Sequence, residues 1–253
     1  MRSRQLIVPA AGLGTRLGAD RPKLLVPVAG VPMIDRLLDL FADYVAAATI
    51  VVHPSFEREV RAHLDAGRRR ASTVVQHQPT GMLDAIMLAD ADVRRVRPDE
   101  VWIVWCDQVA IHPATIRTLA ALTASHPDSA LILPTVRRAT PYIHLHRAPD
   151  GRIDRILHRR EGDAMPAEGE SDMGLFALPR TTFTELLPRY AAAVAPGAAT
   201  RERNFLPFIA WAGREHEVVT FPSVDAVEAV GVNTREELQL VEAHLAAREG
   251  RST

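Results

Sequence analysis

The sequence lacks several features that would assign it to a specialised class of protein. Its 253 residues include a single cysteine, Cys106, which excludes an internal disulfide and predicts a reducing, cytoplasmic location. No apolar run has membrane-spanning length, and Met1–Arg4 leads straight into a strand-like segment rather than a signal peptide. A formal net charge of −1 leaves no basic excess for nucleic acid. We therefore expect neither a membrane nor a nucleic-acid partner.

The first half of the chain alternates between two hydrophobic periods. Short apolar segments predict buried strands, and the segments between them have helical spacing. The predicted strands are Leu6–Val8, Ala48–Val52, Thr73–Gln76, Val101–Cys106 and Ala130–Val136, and the predicted helices are Met33–Tyr44, Phe56–Ala66, Leu83–Asp90 and Pro113–Ser125. This alternation predicts an α/β fold with a doubly wound, mostly parallel sheet.

The pattern changes after residue 137. Asp150-Gly151 separates two alternating segments, Tyr142–Arg147 and Ile153–Leu157, and predicts a hairpin. The remaining predictions are a polar loop (Glu161–Ser171), strands (Leu175–Leu178, Glu217–Phe221), helices (Phe183–Tyr190, Arg235–Arg248), a flexible link (Ala191–Thr200), and a helix or buried turn (Phe205–Trp211). We expect one domain over 1–250, in which a small β-rich region is inserted before the sheet is completed.

The stretch Leu6–Lys23 carries the strongest local signal. After an apolar strand, Ala10, Ala11, Gly12 and Gly14 remove side-chain bulk, so the backbone can approach a ligand closely. Backbone N–H groups exposed in such a turn suit phosphate oxygens. Two cations, Arg16 and Lys23, could neutralise the charge that a phosphate brings.

Three known kinds of glycine-containing turn can be compared with this stretch. A dinucleotide fingerprint requires glycine at position 17, where this chain has Leu17. A Walker A loop requires Gly-Lys-Ser/Thr, which is absent. A tight strand-to-helix turn with surface charges accounts for the glycine pair but not for the spacing of Arg16 and Pro22-Lys23.

The whole stretch resembles the signature of the sugar-1-phosphate nucleotidyltransferases. That signature runs apolar-Ala-Ala-Gly-x-Gly-Thr-Arg-Leu, then Pro-Lys, then Gly-x-Pro-Met/Leu, and it matches Leu6–Lys23 and Gly30–Ile34. The pattern is most similar to the N-acetylglucosamine-1-phosphate uridylyltransferase branch, without that branch's C-terminal β-helix of hexapeptide repeats. The resemblance implies a Rossmann-like, GT-A-like fold, Mg²⁺ as cofactor, and an NTP and a phosphorylated small molecule as partners.

The resemblance also implies roles for residues and regions. Arg16 would hold the triphosphate, and Lys23 would bridge the α-phosphate and the attacking phosphate. The nucleotide contacts carried over are Ala10, Ala11, Gly12, Gly14, Thr15, Gln76 and Gly81. The nucleotide-binding half would span 1–136, the acceptor-binding half 137–222, and a metal-site segment with the last helix 223–250. The oligomeric state, including a homo-oligomer, stays open.

Two residues far apart in the sequence are candidate metal ligands. Asp107 follows an apolar strand, where the carboxyl edges of open α/β sheets bind ligands, although an aspartate there also caps helices. Asn233 precedes the last helix, and either Asn233 or Thr234 could be its N-cap. Both positions resemble the family's metal-binding elements, and their oxygens with those of phosphate make a set suited to Mg²⁺.

Gln76 and Gly81 align with the family's uridine-binding segment. A glutamine amide can both donate to and accept from a pyrimidine edge. A solvated residue at a strand end explains Gln76 equally well. Met82 and Leu83 replace the family's Thr and Gly, so the base assignment rests on Gln76 alone.

The acceptor half departs from the family. Tyr142, His144, His158 and Asp172 occupy the aligned acceptor positions, but Ile143 stands where a glycine admits the sugar ring. We infer that the acceptor is not N-acetylglucosamine 1-phosphate. His144, His146 and His158 with Arg159-Arg160 are consistent with an anion pocket, a structural metal site or surface histidines.

The expected activity is transfer of NMP from an NTP, with UTP first, to a sugar 1-phosphate or similar acceptor, with release of pyrophosphate. The alternatives are a cytidylyltransferase acting on a phosphorylated alcohol or phosphonate, and a catalytically degenerate nucleotide sensor. A glycosyltransferase would show Asp-x-Asp after the central strand, and Asp107-Gln108-Val109 is not that motif. Cys106 is expected to be a buried residue rather than a nucleophile.

Overall fold

The computed structural model describes residues 2–12 and 21–250. The predicted nucleotide contacts Gly14 and Thr15, and the predicted catalytic residue Arg16, lie outside the described residues.

Strands and helices alternate along most of the described chain. The strands are β1 (Arg4–Ala10), β2 (Pro27–Val28), β3 (Val31–Pro32), β4 (Ala47–Val52), β5 (Ala71–Val75), β6 (Glu100–Val104), β7 (Leu131–Ala139), β8 (Ile143–Arg147), β9 (Ile153–His158), β10 (Glu168–Asp172), β11 (Leu175–Pro179) and β12 (Val218–Pro222). The helices are α1 (Met33–Phe41), α2 (Glu57–Ala66), α3 (Met82–Met87), α4 (Asp90–Val96), α5 (Pro113–Ser125), α6 (Leu187–Ala193), α7 (Pro207–Ala212) and α8 (Arg235–Glu249).

The main sheet has eight strands within the described residues. Its order is β10-β7-β11-β6-β1-β4-β5, and β12 also pairs with β7. Strands β4, β1 and β6 run parallel, as do β4 with β5 and β7 with β12. Strand β11 is antiparallel to both β6 and β7. The predicted doubly wound, mostly parallel sheet is confirmed.

Strand β1 lies in the interior of the sheet, between β6 and β4, and all seven of its residues are buried. Leu6 and Val8 contribute to one apolar core, and Ile7 contributes to the other. The first core includes residues of α1, α2, α5 and α8, and the second includes residues of α3, α4, α6 and α7. Helices therefore cover both faces of the sheet, and its two ends remain available for ligands.

The main error of sequence reasoning lies in Glu161–Ser171, which was predicted to be a loop. Residues Glu168–Asp172 form β10, antiparallel to the end of β7. The segment Glu-Gly-Glu-Ser-Asp has little strand propensity, so the sequence alone indicates no strand. The long β7 supplies the hydrogen-bonding edge, and Gly169 and Ser171 are buried against it.

Smaller differences concern element ends. The central strand stops at Val104, two residues before Cys106. The predicted helix Leu83–Asp90 is two helices, α3 and α4. The predicted link from Ala191 begins as part of α6, which follows a π-helical turn at Thr182–Leu186. The ambiguous segment near Phe205 contains a helix, α7.

The predicted hairpin is present, because β8 and β9 pair antiparallel. None of the helices in residues 2–12 and 21–250 is long and apolar enough to cross a membrane.

A buried charge network lies where β1 and β6 begin. Glu100 is 2% exposed and accepts hydrogen bonds from Arg2 (3.0 Å), Arg4 (2.7 Å) and the Trp102 indole (3.1 Å). The Arg4 guanidinium also lies 4.8 Å from the centroid of the Trp102 ring. This network joins the two strands that carry the candidate site at their opposite ends.

We predict that Glu100→Gln lowers the free energy of unfolding by about 3 kcal/mol, because Arg4 then stays buried without its counter-charge. Urea unfolding measures the change. The control Glu57→Gln removes one partner of an exposed ion pair with Arg61 on α2 and should cost less than about 1 kcal/mol. Equal losses in the two variants would contradict the prediction.

Candidate active site

Three side chains from distant parts of the chain meet at one point. The Lys23 ammonium donates to Asp107 Oδ2 at 2.6 Å and to Asn233 Oδ1 at 2.7 Å. The side chains of Lys23 and Asp107 are only 12% and 16% exposed. At this burial a charge-assisted contact is stronger than a surface ion pair.

Each of the three residues is held by local structure. Lys23 begins a 3₁₀ turn whose next two residues, Leu24 and Leu25, are buried in the core. Asp107 follows the carboxyl end of β6 by three residues. It does not cap α5, because the His112 side chain accepts from Ala114 N at that helix's start.

The segment before α8 places Asn233 without using its side chain as a cap. Thr234 is the N-cap, and it forms a capping box with Glu237. The Asn233 amide nitrogen donates to the Gly231 carbonyl at 3.0 Å, which turns the amide oxygen toward Lys23. Thr234 therefore caps the helix, and the Asn233 side chain faces the site, where its role as a metal ligand stays a prediction.

The absence of a side chain at Gly231 eases this approach. A Cβ atom at Gly231 would lie 3.0 Å from Asp107 Oδ2 and 3.2 Å from Asn233 Nδ2. The Val232 N–H also donates to the Asp107 carbonyl at 3.1 Å. The two metal-ligand candidates are thus joined through backbone as well as through Lys23.

The donor set fits a divalent cation of the Mg²⁺ type. A carboxylate oxygen and an amide oxygen converge on one cationic atom, the Lys23 nitrogen, which shows that the two oxygens can share a cation. Mg²⁺ is bound by one or two carboxylates together with substrate phosphates and water. No group of three or more His, Cys, Asp or Glu side chains suited to a metal occurs in the described part of the chain. The site therefore fits a metal shared with a phosphate ligand.

Lys23 is the only lysine in a sequence that has 30 Lys and Arg residues together. Arginine supplies positive charge everywhere else. A compact ammonium fits between Asp107 and Asn233, whereas a planar guanidinium has a different shape and donor geometry. This composition is a signal for Lys23 that needs no motif.

A cavity of about 650 Å³ opens beside the three side chains. Asp107, Gly231 and Asn233 form one wall. The opposite end is built from the β8–β9 hairpin, the end of β7, β10 and the segment before α7. This volume is in the range of small-molecule sites.

The predicted nucleotide contacts that are described lie near the carboxyl ends of β1 and β5. Ala10 is buried, Ala11 packs against the second core, and a Cβ at Gly12 would meet no atom of the described residues within 4 Å. Gln76 is 9% exposed, and its amide nitrogen donates to the Gly81 carbonyl at 3.2 Å. Gly81 is the N-cap of α3 with φ +123°.

Gly81 also has a packing role that sequence reasoning missed. A Cβ there would lie 2.4 Å from the Arg203 carbonyl oxygen. The Arg203 N–H donates to Thr80 and its carbonyl accepts from Leu83, so the two segments are pinned together. The Arg203 side chain pairs with Asp84 across the same contact.

The predicted acceptor residues separate into two groups. Tyr142, His158 and Asp172 line the cavity, and the rings of Tyr142 and His158 are in edge contact at 5.3 Å. Burial lowers the pKa of His158, which favours its neutral form.

His144 is not among the residues that line this cavity. Its Nδ1 lies 3.1 Å from the Glu170 carbonyl oxygen, over Gly169, where a Cβ would come within 2.5 Å of that nitrogen. His146 pairs with Asp154 at 2.6 Å. Strand alternation explains the outcome, because Ile143 takes the cavity face and the two histidines take the other.

Trp105, Gln108 and Arg138 are among the cavity residues that sequence reasoning did not assign to the site. Trp105 packs against Phe176 and Phe205 with ring centroids 5.1 and 6.1 Å away. Arg138 has no side-chain hydrogen bond or ion pair to any of the described residues. The only sequence signal for Trp105 and Gln108 was their closeness to Asp107, because Trp105 lies two residues before it and Gln108 follows it directly.

Cys106 does not resemble a nucleophile. Burial and the neighbouring Asp107 raise the pKa of its thiol to about 12, so it stays protonated at neutral pH. It packs against the first core.

This fold and site agree with what the chain is similar to. Residues 6–171 match the family described as the MobA-like NTP transferase domain. The chain belongs to that family. This family agrees with the nucleotidyltransferase class that the sequence signature predicted.

Individual relatives support this assignment. The bifunctional protein GlmU of Pseudomonas putida is 30% identical over 251 residues, which cover 98% of this chain and 53% of the relative. GlmU of Desulfitobacterium hafniense is 29% identical over 240 residues, covering 93% and 51%. The chain therefore spans about half the length of the curated relatives it matches.

A solved structure shares the fold. A chain from Bacillus anthracis, described as a glucose-1-phosphate thymidylyltransferase in complex with a sucrose, superposes with a TM-score of 0.75. The match covers 95% of this chain and 94% of the other at 16% identity.

Asp172 generates a pH prediction. Desolvation raises the pKa of this carboxyl to about 6, above the usual value near 4. Between those values the folded protein binds more protons than the unfolded chain, so the free energy of unfolding falls as pH rises. Asp172→Asn stays neutral and keeps an oxygen for the Gly174 N–H, so we expect it to remove this fall.

Urea unfolding of both proteins from pH 4 to pH 7 measures the effect. The variant should match the wild type at the acid end and be the more stable protein at neutral pH. Asp163→Asn, which changes an exposed carboxylate in the same cavity, is the control and should keep the wild-type slope. Parallel curves for wild type and Asp172→Asn would contradict the prediction.

Proposed function

We propose that the protein is an Mg²⁺-dependent nucleotidyltransferase that transfers NMP from an NTP, with UTP as the first candidate, to a phosphorylated small molecule such as a sugar 1-phosphate. The products are a nucleotide-activated acceptor and pyrophosphate. The observation that carries this proposal is the convergence of the Lys23 ammonium on Asp107 and Asn233, which themselves line a cavity of about 650 Å³.

The chemistry needs charge neutralisation rather than a general base. An oxygen of the acceptor phosphate attacks the α-phosphorus, a P–O bond forms, and the bond to pyrophosphate breaks. The attacking oxygen is already anionic. Lys23 would hold the α-phosphate and the acceptor phosphate together and stabilise the charge that builds between them.

Asp107 and Asn233 would hold the metal ion through their side-chain oxygens. When bound, Mg²⁺ would neutralise phosphate charge and favour departure of pyrophosphate. Lys23 sits between the same two oxygens, so its ammonium would turn toward the phosphates when the metal enters. We keep Arg16, Gly14 and Thr15 in the proposal as triphosphate contacts on the strength of the sequence signature alone.

The described contacts near β5 bear on the nucleotide base. The amide nitrogen of Gln76 donates to the Gly81 carbonyl, and the amide oxygen has no hydrogen bond to any residue that the structure describes. Such an acceptor can receive the N–H of a uracil or the amino group of a cytosine. UTP and CTP are therefore the two nucleotides to be compared first.

The acceptor half of the cavity offers one cation for an acceptor phosphate. Arg138 lines the cavity and has no hydrogen bond or ion pair to the described residues, whereas Arg160 pairs with Glu202 at 3.7 Å and the wall also carries several carboxylates. Ile143 and Ile156 line the same cavity as Tyr142 and make this part of its wall apolar. We assign 1–136 to the nucleotide, 137–222 to the acceptor and 223–250 to the metal site.

We predict that Lys23→Ala and Asp107→Asn each lower the rate of pyrophosphate release by about 10²–10³-fold or more, because each removes charge stabilisation at the reacting phosphates. Lys23→Arg should not restore the rate, since a guanidinium does not replace the compact ammonium. The assay crosses UTP, CTP, ATP and GTP with a panel of sugar and alcohol phosphates.

The control is Asp90→Asn, an exposed carboxylate on α4 that pairs with Arg94. It should keep wild-type turnover. Full turnover in Lys23→Ala or Asp107→Asn would overturn the assignment. Nucleotide binding without turnover on any acceptor would instead support a sensor, and a preference for CTP would support a cytidylyltransferase.

The single lysine permits a metal test that does not use activity. Lysine labelled with ¹³C at Cε yields one side-chain signal, because Lys23 is the only lysine in the sequence. We predict that Mg²⁺ with UTP shifts this signal saturably, since the metal takes the oxygens that Lys23 contacts. Asp107→Asn should weaken the metal dependence by about tenfold or more. A signal unaffected by Mg²⁺ in the wild type would contradict shared use of these oxygens.

A further inference from the structure

Glu228 is a fully buried carboxylate in the segment that leads to Asn233. It is 0% exposed, and it forms no ion pair with a cation in the described part of the chain. A glutamate is almost never fully buried unless it is paired, because removing its charge from water is costly. The buried Glu100 at the other end of the sheet has two arginine partners. The burial of Glu228 therefore needs another explanation.

Both oxygens of Glu228 accept from backbone N–H groups, and these groups belong to distant parts of the chain. Oε1 accepts from Asp225 N at 2.8 Å, within the capping box of the 3₁₀ turn Ala226–Ala229. Oε2 accepts from His112 N at 2.8 Å, at the start of α5. The first bond is local and typical of a capped turn. The second joins the segment before α8 to the loop that follows β6.

That loop carries Asp107 and contains no helix or strand between the end of β6 and the start of α5. The apolar residues in its middle are buried in the first core: Val109, Ala110 and Ile111. At its beginning, the Asp107 carbonyl accepts from the Val232 N–H at 3.1 Å. With the bond from His112 to Glu228, both ends of the loop are tied to the segment before α8.

These ties bear on Asp107 and Asn233, which the proposed function uses as metal ligands. Mg²⁺ demands near-ideal octahedral geometry, so its affinity depends on how the two side chains are spaced. Asn233 follows Glu228 in one segment, and Asp107 lies in the loop that Glu228 holds at its far end. A carboxylate suits this task, because it has two acceptor oxygens and no donor and can satisfy two N–H groups at once.

We propose that Glu228 is a positioning residue for the metal site, and that its bond to the His112 N–H sets the spacing between Asp107 and Asn233. The inference rests on the proposed function, in which these two side chains bind Mg²⁺. Glu228 does not line the cavity, so it acts on the metal through the backbone and touches no substrate.

The test uses Glu228→Met, which keeps the length of the side chain but accepts from neither N–H group. Lysine labelled with ¹³C at Cε reports metal entry, because Lys23 is the only lysine and contacts both proposed ligands. We expect the Mg²⁺ concentration at the midpoint of this signal's shift, measured with UTP, to rise about tenfold or more. Saturating Mg²⁺ should restore most of the rate of pyrophosphate release. Calorimetry with UTP in EDTA should give the wild-type Kd, since no metal is bound.

Two controls separate positioning from loss of stability. Glu100→Gln disrupts the buried network at the opposite end of the sheet, so it should be destabilised yet keep the wild-type midpoint. Asp225→Ala removes the cap of the 3₁₀ turn but leaves the carboxylate that His112 contacts, so it should also keep that midpoint.

An unchanged midpoint in Glu228→Met would overturn the inference, and so would an equal rise in either control. If Glu228→Met does not fold, Glu228→Gln takes its place, because its NH₂ group replaces one of the two acceptors. Loss of folding in both variants would make Glu228 a structural residue and overturn the inference as well.

The wild-type protein separates this inference from the function on which it rests. A Lys23 signal that responds to Mg²⁺ without pyrophosphate release on any acceptor would contradict nucleotidyl transfer and leave the Glu228 comparison readable. A Lys23 signal that ignores Mg²⁺ would overturn the positioning role, because no metal would then enter between Asp107 and Asn233.

Discussion

The contact between the Lys23 ammonium and the side chains of Asp107 and Asn233 is the interaction on which the candidate site depends. It joins residues separated by 84 and 210 positions in the sequence, and all three arrive at the carboxyl edge of the sheet. A different local structure positions each residue. Lys23 begins a buried 3₁₀ turn, Asp107 follows the end of β6, and Asn233 precedes a helix that Thr234 caps. Gly231 lets these segments close on one another. Binding of a phosphate and a metal would act on this one contact.

The sheet contains both parallel and antiparallel strands, and this arrangement decides where the predicted acceptor side of the cavity lies. Strand β11 runs antiparallel between β6 and β7, so its first residues return to the edge where Asp107 follows β6. That return places Gly174 against Trp105 and positions Asp172 in the cavity wall. The β8–β9 hairpin and β10 then form the far end. A purely parallel sheet would bring helices, rather than these strands, to this edge.

Buried polar groups differ in their hydrogen bonding between the two ends of the sheet. At the end that begins β1 and β6, Glu100 has several donors and every charge is paired, so the network serves stability. At the opposite end, the buried Gln108 amide oxygen has no hydrogen-bond partner in the described part of the chain, and desolvation raises the pKa of the Asp172 carboxyl. Such groups lower the stability of the protein, and a cost of this kind is common at functional sites.

The sequence by itself determined the order of strands and helices in the first half and the family, and it indicated that Leu6–Lys23 binds phosphate. It could do so because hydrophobic periodicity and the positions of glycines are local properties of the chain. It also indicated Asp107 and Asn233. Only the tertiary structure decided that Asn233 faces Lys23 while Thr234 caps the helix, that Glu168–Asp172 becomes a strand, and that Gln108 lines the cavity while His144 does not. These outcomes depend on which distant strand or side chain a residue meets, and no local pattern encodes that partner.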